Sequence, residues 1–249
     1  MAKDETIPEA GHTTNQTYAG MFAGHDKSRE KRVRNGAYVA DAIRTAFKPK
    51  TLIDLGCGLG FFLSAMAQKG SDVTGVDNGW VSDLQTEIPH ERYTFADLNK
   101  PFETDTRFDM AVSFECAEHL ARSRADGFVA DLCKLSDTIA FSAAVPGQGG
   151  SGHRNPQWQG YWAALFAEQG YECYDYLRPQ LAANEDAFLW FRQNPLIYIK
   201  QGARVPVKVR PFRIEPEAAS HASHHLFMRH RHGAQKRIKE LEAKLAAST

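Results

Sequence analysis

The chain has 249 residues, 43% of them hydrophobic, and a formal net charge of zero. That length holds one full domain plus a tail, with a core of about five to seven strands, and its apolar runs fall far short of a membrane span. The neutral total hides an asymmetry: residues 201–249 carry ten Lys/Arg against four Glu, a net of +6, whereas the first 200 carry 20 basic and 26 acidic residues, a net of −6. Cys57, Cys116, Cys133 and Cys173 are widely spaced with no C-x-x-C pair, which argues against a zinc site or a disulfide framework and fits a reducing cytoplasm. The opening Met-Ala-Lys-Asp-Glu-Thr lacks the apolar stretch of a secretory signal.

In chain order, residues 1–27 are polar and read as a flexible segment, in which Tyr18, Met21 and Phe22 begin a lid or serve as a tether. Ser28–Phe47 has helical periodicity, with Arg29, Lys31, Arg32 and Arg34 read as a solvated face and Pro49 as the stop. Leu52–Leu55 is a buried strand that runs into Gly56-Cys57-Gly58-Leu59-Gly60 and then a helix, Phe61–Lys69, ended by Gly70. Val73–Asp77 is a second strand. Tyr93–Ala96 is a third, followed by Asp97-Leu98, and Met110–Phe114 a fourth, followed by Glu115; Thr138–Ala144 is a fifth. A Gly-rich loop spans 146–156. Trp158, Tyr161, Trp162, Leu165 and Phe166 then recur at helical spacing, a stripe better read as core than as an acceptor wall. Tyr171–Leu177 and Pro195–Lys200 complete the strands.

Strands alternating with helices at this spacing predict an α/β fold, a doubly wound and mainly parallel sheet of seven strands over residues 28–200. Residues 201–249 form a basic tail whose His221, His224, His225, His230 and His232 read as a solvated linker. A short helix is expected from Ala234, where Ala234, Ile238, Leu241 and Leu245 follow a four-three-four seam like a and d positions. About two heptads are too few for a stable isolated coiled coil, so this helix docks, self-associates, pairs with a partner or frays.

An apolar strand entering a Gly-rich turn and a helix is a nucleotide cradle: glycine permits the sharp turn and a close ligand approach, and the helix N-terminus offers free N–H groups. Phe61 stands where a dinucleotide fingerprint needs its third glycine, and no Lys follows Gly60 as a P-loop requires. Each strand-end acid falls where ligands sit in such sheets.

The pattern Asp54-x-Gly56-x-Gly58-x-Gly60 resembles motif I of class I S-adenosylmethionine (SAM)-dependent methyltransferases, a likeness covering residues 45–200. The resemblance implies a Rossmann-like methyltransferase fold, with the last strand antiparallel beside the fifth, and SAM as methyl donor, leaving S-adenosylhomocysteine. It implies that Asp77 takes the ribose hydroxyls and Asp97 the adenine amino group, with Leu98 alongside. Asp54, Gly56 and Gly58 would line the methionine tail, Asn78 and Phe114 would flank adenine and ribose, and Cys57, Gly60 and Glu115 complete the set.

Methyl transfer to a hydroxyl needs alignment and removal of one proton. His119, in Glu115-Cys-Ala-Glu118-His119-Leu, and His153, in the loop after strand five, border the expected cleft and are the catalytic candidates. Glu-x-x-Glu-His on a helix also suits a divalent cation and is similar to the motif of small-RNA 2′-O-methyltransferases, but it is equally found among non-metal small-molecule enzymes, including the ubiquinone-pathway O-methyltransferases. The expectation is therefore methylation of a small-molecule hydroxyl on a sugar, glycan precursor or secondary metabolite, with no metal assigned. The alternatives are an RNA 2′-O-methyltransferase using the basic tail and a scaffold without turnover.

Overall fold

A computed structural model describes residues 28–247. The expected flexible segment 1–27, including Tyr18, Met21 and Phe22, lies outside the described residues. Among the described residues eight strands form one sheet in the order β3-β2-β1-β4-β5-β7-β6-β8. They are β1 (Thr51–Leu55), β2 (Asp72–Asp77), β3 (Tyr93–Phe95), β4 (Met110–Phe114), β5 (Thr138–Ser142), β6 (Tyr171–Tyr174), β7 (Leu196–Lys200) and β8 (Arg213–Ile214). The helices are α1 (Arg29–Ala46), α2 (Phe61–Gln68), α3 (Ala125–Leu135), α4 (Gln159–Glu168), α5 (Leu177–Ala182), α6 (Leu189–Gln193) and α7 (His224–Ala247).

Strands β1 to β5 are parallel, and β7 is antiparallel to both β5 and β6, as the resemblance implied. The chain winds outward from β1 to β3, then returns across β1 to start β4, so the switch point lies between β1 and β4. Both faces of β1 are covered. Leu52 joins the core beneath α1 and α2 with Ile43, Leu63 and Met66, whereas Ile53 joins the opposite core beneath α3 and α4 with Phe128, Leu132 and Phe166. That two-sided burial explains an unbroken apolar run in place of alternation.

Trp162 and Phe166 are fully buried, Phe166 stacking on Tyr198 with ring centroids 4.0 Å apart. The stripe is core at Trp162 and Phe166, with Tyr161 and Leu165 partly buried against them, whereas Trp158 precedes the helix and is 41% exposed.

The sheet has one strand more than expected. β8 pairs with the end of β6, Cys173 opposite Ile214 and Tyr174 opposite Arg213. Two residues between Pro211 and Pro216 leave no alternation to detect. β6 itself stops at Tyr174, and Leu177 opens α5 instead of ending the strand. The last helix begins at His224, ten residues before Ala234, so His224, His230 and His232 are helical and not linker. No described helix is long and apolar enough to cross a membrane.

Candidate active site

The turn after β1 is built by glycine geometry. Gly56 has φ +87°, and a Cβ there would stand 2.2 Å from Cys116 Sγ. Only glycine lets the β1 and β4 ends approach this closely. The Gly56 and Cys57 N–H groups donate to Val76 O at 2.8 and 3.2 Å, and the Gly58 N–H donates to Asp77 Oδ2 at 2.7 Å. The loop is thus stitched along the end of β2. Gly60 does not face the ligand space: it caps α2 at φ +80°, and a Cβ would meet Tyr93 Oη at 2.8 Å.

A cavity of about 580 Å³ opens at the carboxyl ends of β1, β2 and β4. Asp54, Gly56, Cys57, Gly58, Asp77, Asn78, Asp97, Leu98, Phe114, Glu115, His119 and His153 all line it; of the residues expected in the site, Gly60 stands apart. Two acids share its floor. Asp54 is 4% exposed and its Oδ1 has no hydrogen-bond partner. Burial, and then the nearby Asp77 carboxylate, push its pKa well above the usual carboxylate range. Burial raises Asp77 to about 6 against the pull of the Gly58 and Asn78 N–H groups. Two acids held out of water, one with a bare oxygen, favour a ligand that brings cationic or hydroxyl donors. Asp97 faces the same space while its Oδ1 accepts from Asn99 N at 3.0 Å. The following segment is fixed from below, where buried Arg124 donates to the Leu98 and Lys100 carbonyls and pairs with Asp131.

The far end of the cavity is polar. Glu115 takes φ +52°, the one positive φ outside glycine among the described residues. Its carboxylate accepts from Ser142 Oγ (2.8 Å), Gln148 Nε2 (2.8 Å) and Asn194 Nδ2 (3.0 Å). It therefore ties the β4 end to the Gly-rich loop and to the entry of β7. Three residues on, the Glu118 carbonyl accepts the Arg154 and Asn155 N–H groups at 2.7 and 2.9 Å. That fold-back brings His153 over His119, with ring centroids 4.9 Å apart at an interplanar angle of 85°.

Glu118 is 1% exposed, its Oε2 has no partner, and His153 Nε2 lies 4.0 Å from Oε1. Burial and the neighbouring Glu115 push Glu118 well above the usual range. Burial, then the adjacent His153, lowers His119 to about 4; burial also lowers His153. His119 Nδ1 lies 3.2 Å from Gly152 O. A carbonyl only accepts, so Nδ1 carries the proton of the neutral ring and Nε2 is the basic nitrogen. Ligand atoms of Glu118, His119 and His153 all lie within 4.8 Å of one another.

Residues 27–136 match the family model described as a methyltransferase domain. Over that segment, which is less than half of the chain, the sequence carries a methyltransferase domain. Curated relatives of this chain include the ubiquinone biosynthesis O-methyltransferases of Psychrobacter cryohalolentis and Psychrobacter arcticus, 30% and 31% identical over 116 residues. Those matches cover 42% of this chain and 44% of each relative, so the chain matches them over less than half their length. Among solved structures, Streptomyces venezuelae DesVI is 13% identical with a TM-score of 0.53, covering 74% of this chain and 97% of that one. A TehB-like SAM-dependent methyltransferase from Corynebacterium glutamicum is 16% identical with a TM-score of 0.52, covering 75% and 98%. At that identity the two structures show a shared fold.

Sequence reasoning missed one side of the cavity. Arg32 faces into it and is not part of a solvated stripe; burial lowers its pKa to about 10. Gly36, one helical turn on, lets α1 approach α2 so closely that a Cβ would stand 2.6 Å from Phe61 O. The Arg32/Gly36 spacing on one helix face was the available signal. The aromatic wall is not α4 but the loop into α6, where Phe188 stacks on Trp190 at 4.3 Å and Phe191 meets Phe114 edge-on. Asn35, buried in α1, holds this loop through Asp186 O and the Phe188 N–H, a contact spanning about 150 residues that no local pattern signals.

Proposed function

We propose that the sheet domain, from residue 28 through β8, is the catalytic domain of an enzyme that transfers the sulfonium methyl group of SAM to a hydroxyl of a small-molecule acceptor, leaving S-adenosylhomocysteine. The observation that carries this reading is the acid pair beside the glycine turn, Asp77 fixed by two backbone amides and Asp54 with a bare, buried oxygen. Asp77 would accept the ribose hydroxyls, and Asp54 with Gly56 and Gly58 would receive the ammonium end of the methionine tail. Arg32 would face its carboxylate. Asp97 and Leu98 would meet adenine, with Asn78 and Phe114 flanking the nucleoside.

Bound SAM supplies an electrophilic methyl group on a good leaving group. The chain's own task is to align the acceptor oxygen and accept its proton. His119 Nε2 and His153 stand ready in their neutral forms, with Glu118 Oε1 4.0 Å from His153 Nε2. The ubiquinone-pathway relatives are named O-methyltransferases, which supports a hydroxyl acceptor; sugars, glycan precursors and secondary metabolites fit the same chemistry. Four free thiols suit a reducing cytoplasm.

One observation favours a second reading of the polar end. A carboxylate and two neutral imidazoles converging within 4.8 Å suit a divalent cation that would acidify the acceptor hydroxyl. Calorimetry with S-adenosylhomocysteine tests the cofactor reading: binding is expected, and its absence overturns it. Turnover of SAM on a metabolite extract, read as a mass gain of one methylene, tests the reaction. Repeating it with chelator separates the two readings, since activity unaffected by chelation leaves the imidazoles as bases.

A further inference from the structure

The last helix has two unlike parts. Its first turns are docked on the domain: Leu226 is 3% exposed, and Arg229 Nη2 and His230 Nε2 lie 2.7 and 3.1 Å from Gly147 O. Gly233 then stands inside the helix with open space around it, a residue that weakens a helix interior. Beyond it the helix projects from the domain, and Ile238, Leu241 and Leu245 are 54%, 49% and 69% exposed.

We propose that residues 234–245 form a parallel coiled coil with the same helix of a second copy of this chain. Ala234, Ile238, Leu241 and Leu245 fall at d, a, d and a of a heptad, and Ile at a with Leu at d favours two strands. The flanking charges select both partner and direction. Positions g are His230, Arg237 and Lys244, all basic or titratable to basic, and e positions are Gln235 and Glu242. An antiparallel pair sets g against g and places these bases opposite one another. A parallel pair sets g against the e position five residues on, so Arg237 of each copy meets Glu242 of the other, twice by symmetry. Arg237 now reaches only Glu240 of its own helix, at 3.3 Å. The pairing also sets the two Gly147 loops at the same end of the coiled coil.

Sedimentation velocity of the full chain over a range of concentrations tests this. The expected result is a reversible dimer, weakened about tenfold or more by Ile238→Asp with S-adenosylhomocysteine binding and helix content near the parent's. Arg237→Glu should weaken the dimer, and adding Glu242→Arg to it should restore it. Ala234→Cys should give a disulfide-linked dimer on mild oxidation, because only a parallel pair brings the two d positions face to face. A monomer at every concentration, or a dimer indifferent to Ile238→Asp, overturns the proposal. Failure of the charge swap to restore association, or failure of Ala234→Cys to cross-link, overturns the parallel register.

Discussion

The Asp77 carboxylate accepts the Gly58 N–H at 2.7 Å across 19 residues of sequence. One side chain therefore both shapes the glycine turn and presents the acid at the end of β2. Asp77→Ala removes both roles. S-adenosylhomocysteine should bind at least about tenfold more weakly, in line with the ~1.5–3 kcal/mol of hydrogen bonds to a charged group. Calorimetry checks it, with thermal unfolding as the folding control; unchanged affinity removes the ribose assignment.

The same residue gives cofactor binding a pH dependence. Burial lifts Asp77 from its ordinary 3.8 to about 6, so in the ligand-free protein its contribution to stability is fully present below 3.8 and is lost as pH rises through about 6. Hydroxyl donors from a ligand favour the ionised form. Affinity for S-adenosylhomocysteine should therefore rise as pH climbs from about 5 to 7. Titrations across that window should also show proton release below pH 6, read from heats in buffers of different ionisation enthalpy. A flat profile would mean that Asp77 does not receive the ligand.

Gly36 offers a test of sign. Alanine is normally the better helix former by about 0.8–1 kcal/mol. Here its Cβ would stand 2.6 Å from the Phe61 carbonyl oxygen, backbone that cannot swing aside. Gly36→Ala should thus lower stability by about 1–3 kcal/mol in urea unfolding, and it should weaken cofactor binding by shifting Arg32. A gain in stability would show that α1 and α2 separate at no cost.

The two imidazoles should affect turnover and not cofactor affinity. His119→Ala and His153→Gln are each expected to reduce kcat about 10²- to 10⁴-fold if the ring moves the proton, with S-adenosylhomocysteine binding close to the parent's. Equal losses in kcat and cofactor affinity would instead assign these side chains to cavity shape.

Glu115→Gln probes the polar tie at the far end. Ser142, Gln148 and Asn194 all donate to this carboxylate. An amide nitrogen in place of one oxygen would set donor against donor, at a cost of about 1–3 kcal/mol. Chemical denaturation measures the loss, and faster proteolysis within residues 146–156 would report release of the loop.

Much of this molecule was legible because its signals are local. The apolar run of β1, the glycines after it and the acids closing β2 and β3 each sit within a few residues of the feature they announce. The parallel winding followed from their spacing. What escaped is long-range or too short to carry a period. The two residues of β8 have no alternation. The hold of Asn35 on the Phe188 loop joins segments far apart in the chain. Arg32 sits in a basic run that reads as solvated until Gly36 is seen to draw its helix onto α2. Gly60 illustrates the reverse error: it belongs to the motif, yet the space beside it is filled by Tyr93 and Ile88.

The left-handed backbone at Glu115 also bears on redesign. Glycine or asparagine would occupy φ +52° with less strain, and a sequence chosen to suit the backbone alone would place one of them there. The carboxylate is what such a choice discards. Stabilising libraries drawn on this scaffold should therefore keep position 115 fixed, since a variant that gains thermal resistance there would do so by untying the loop that carries His153.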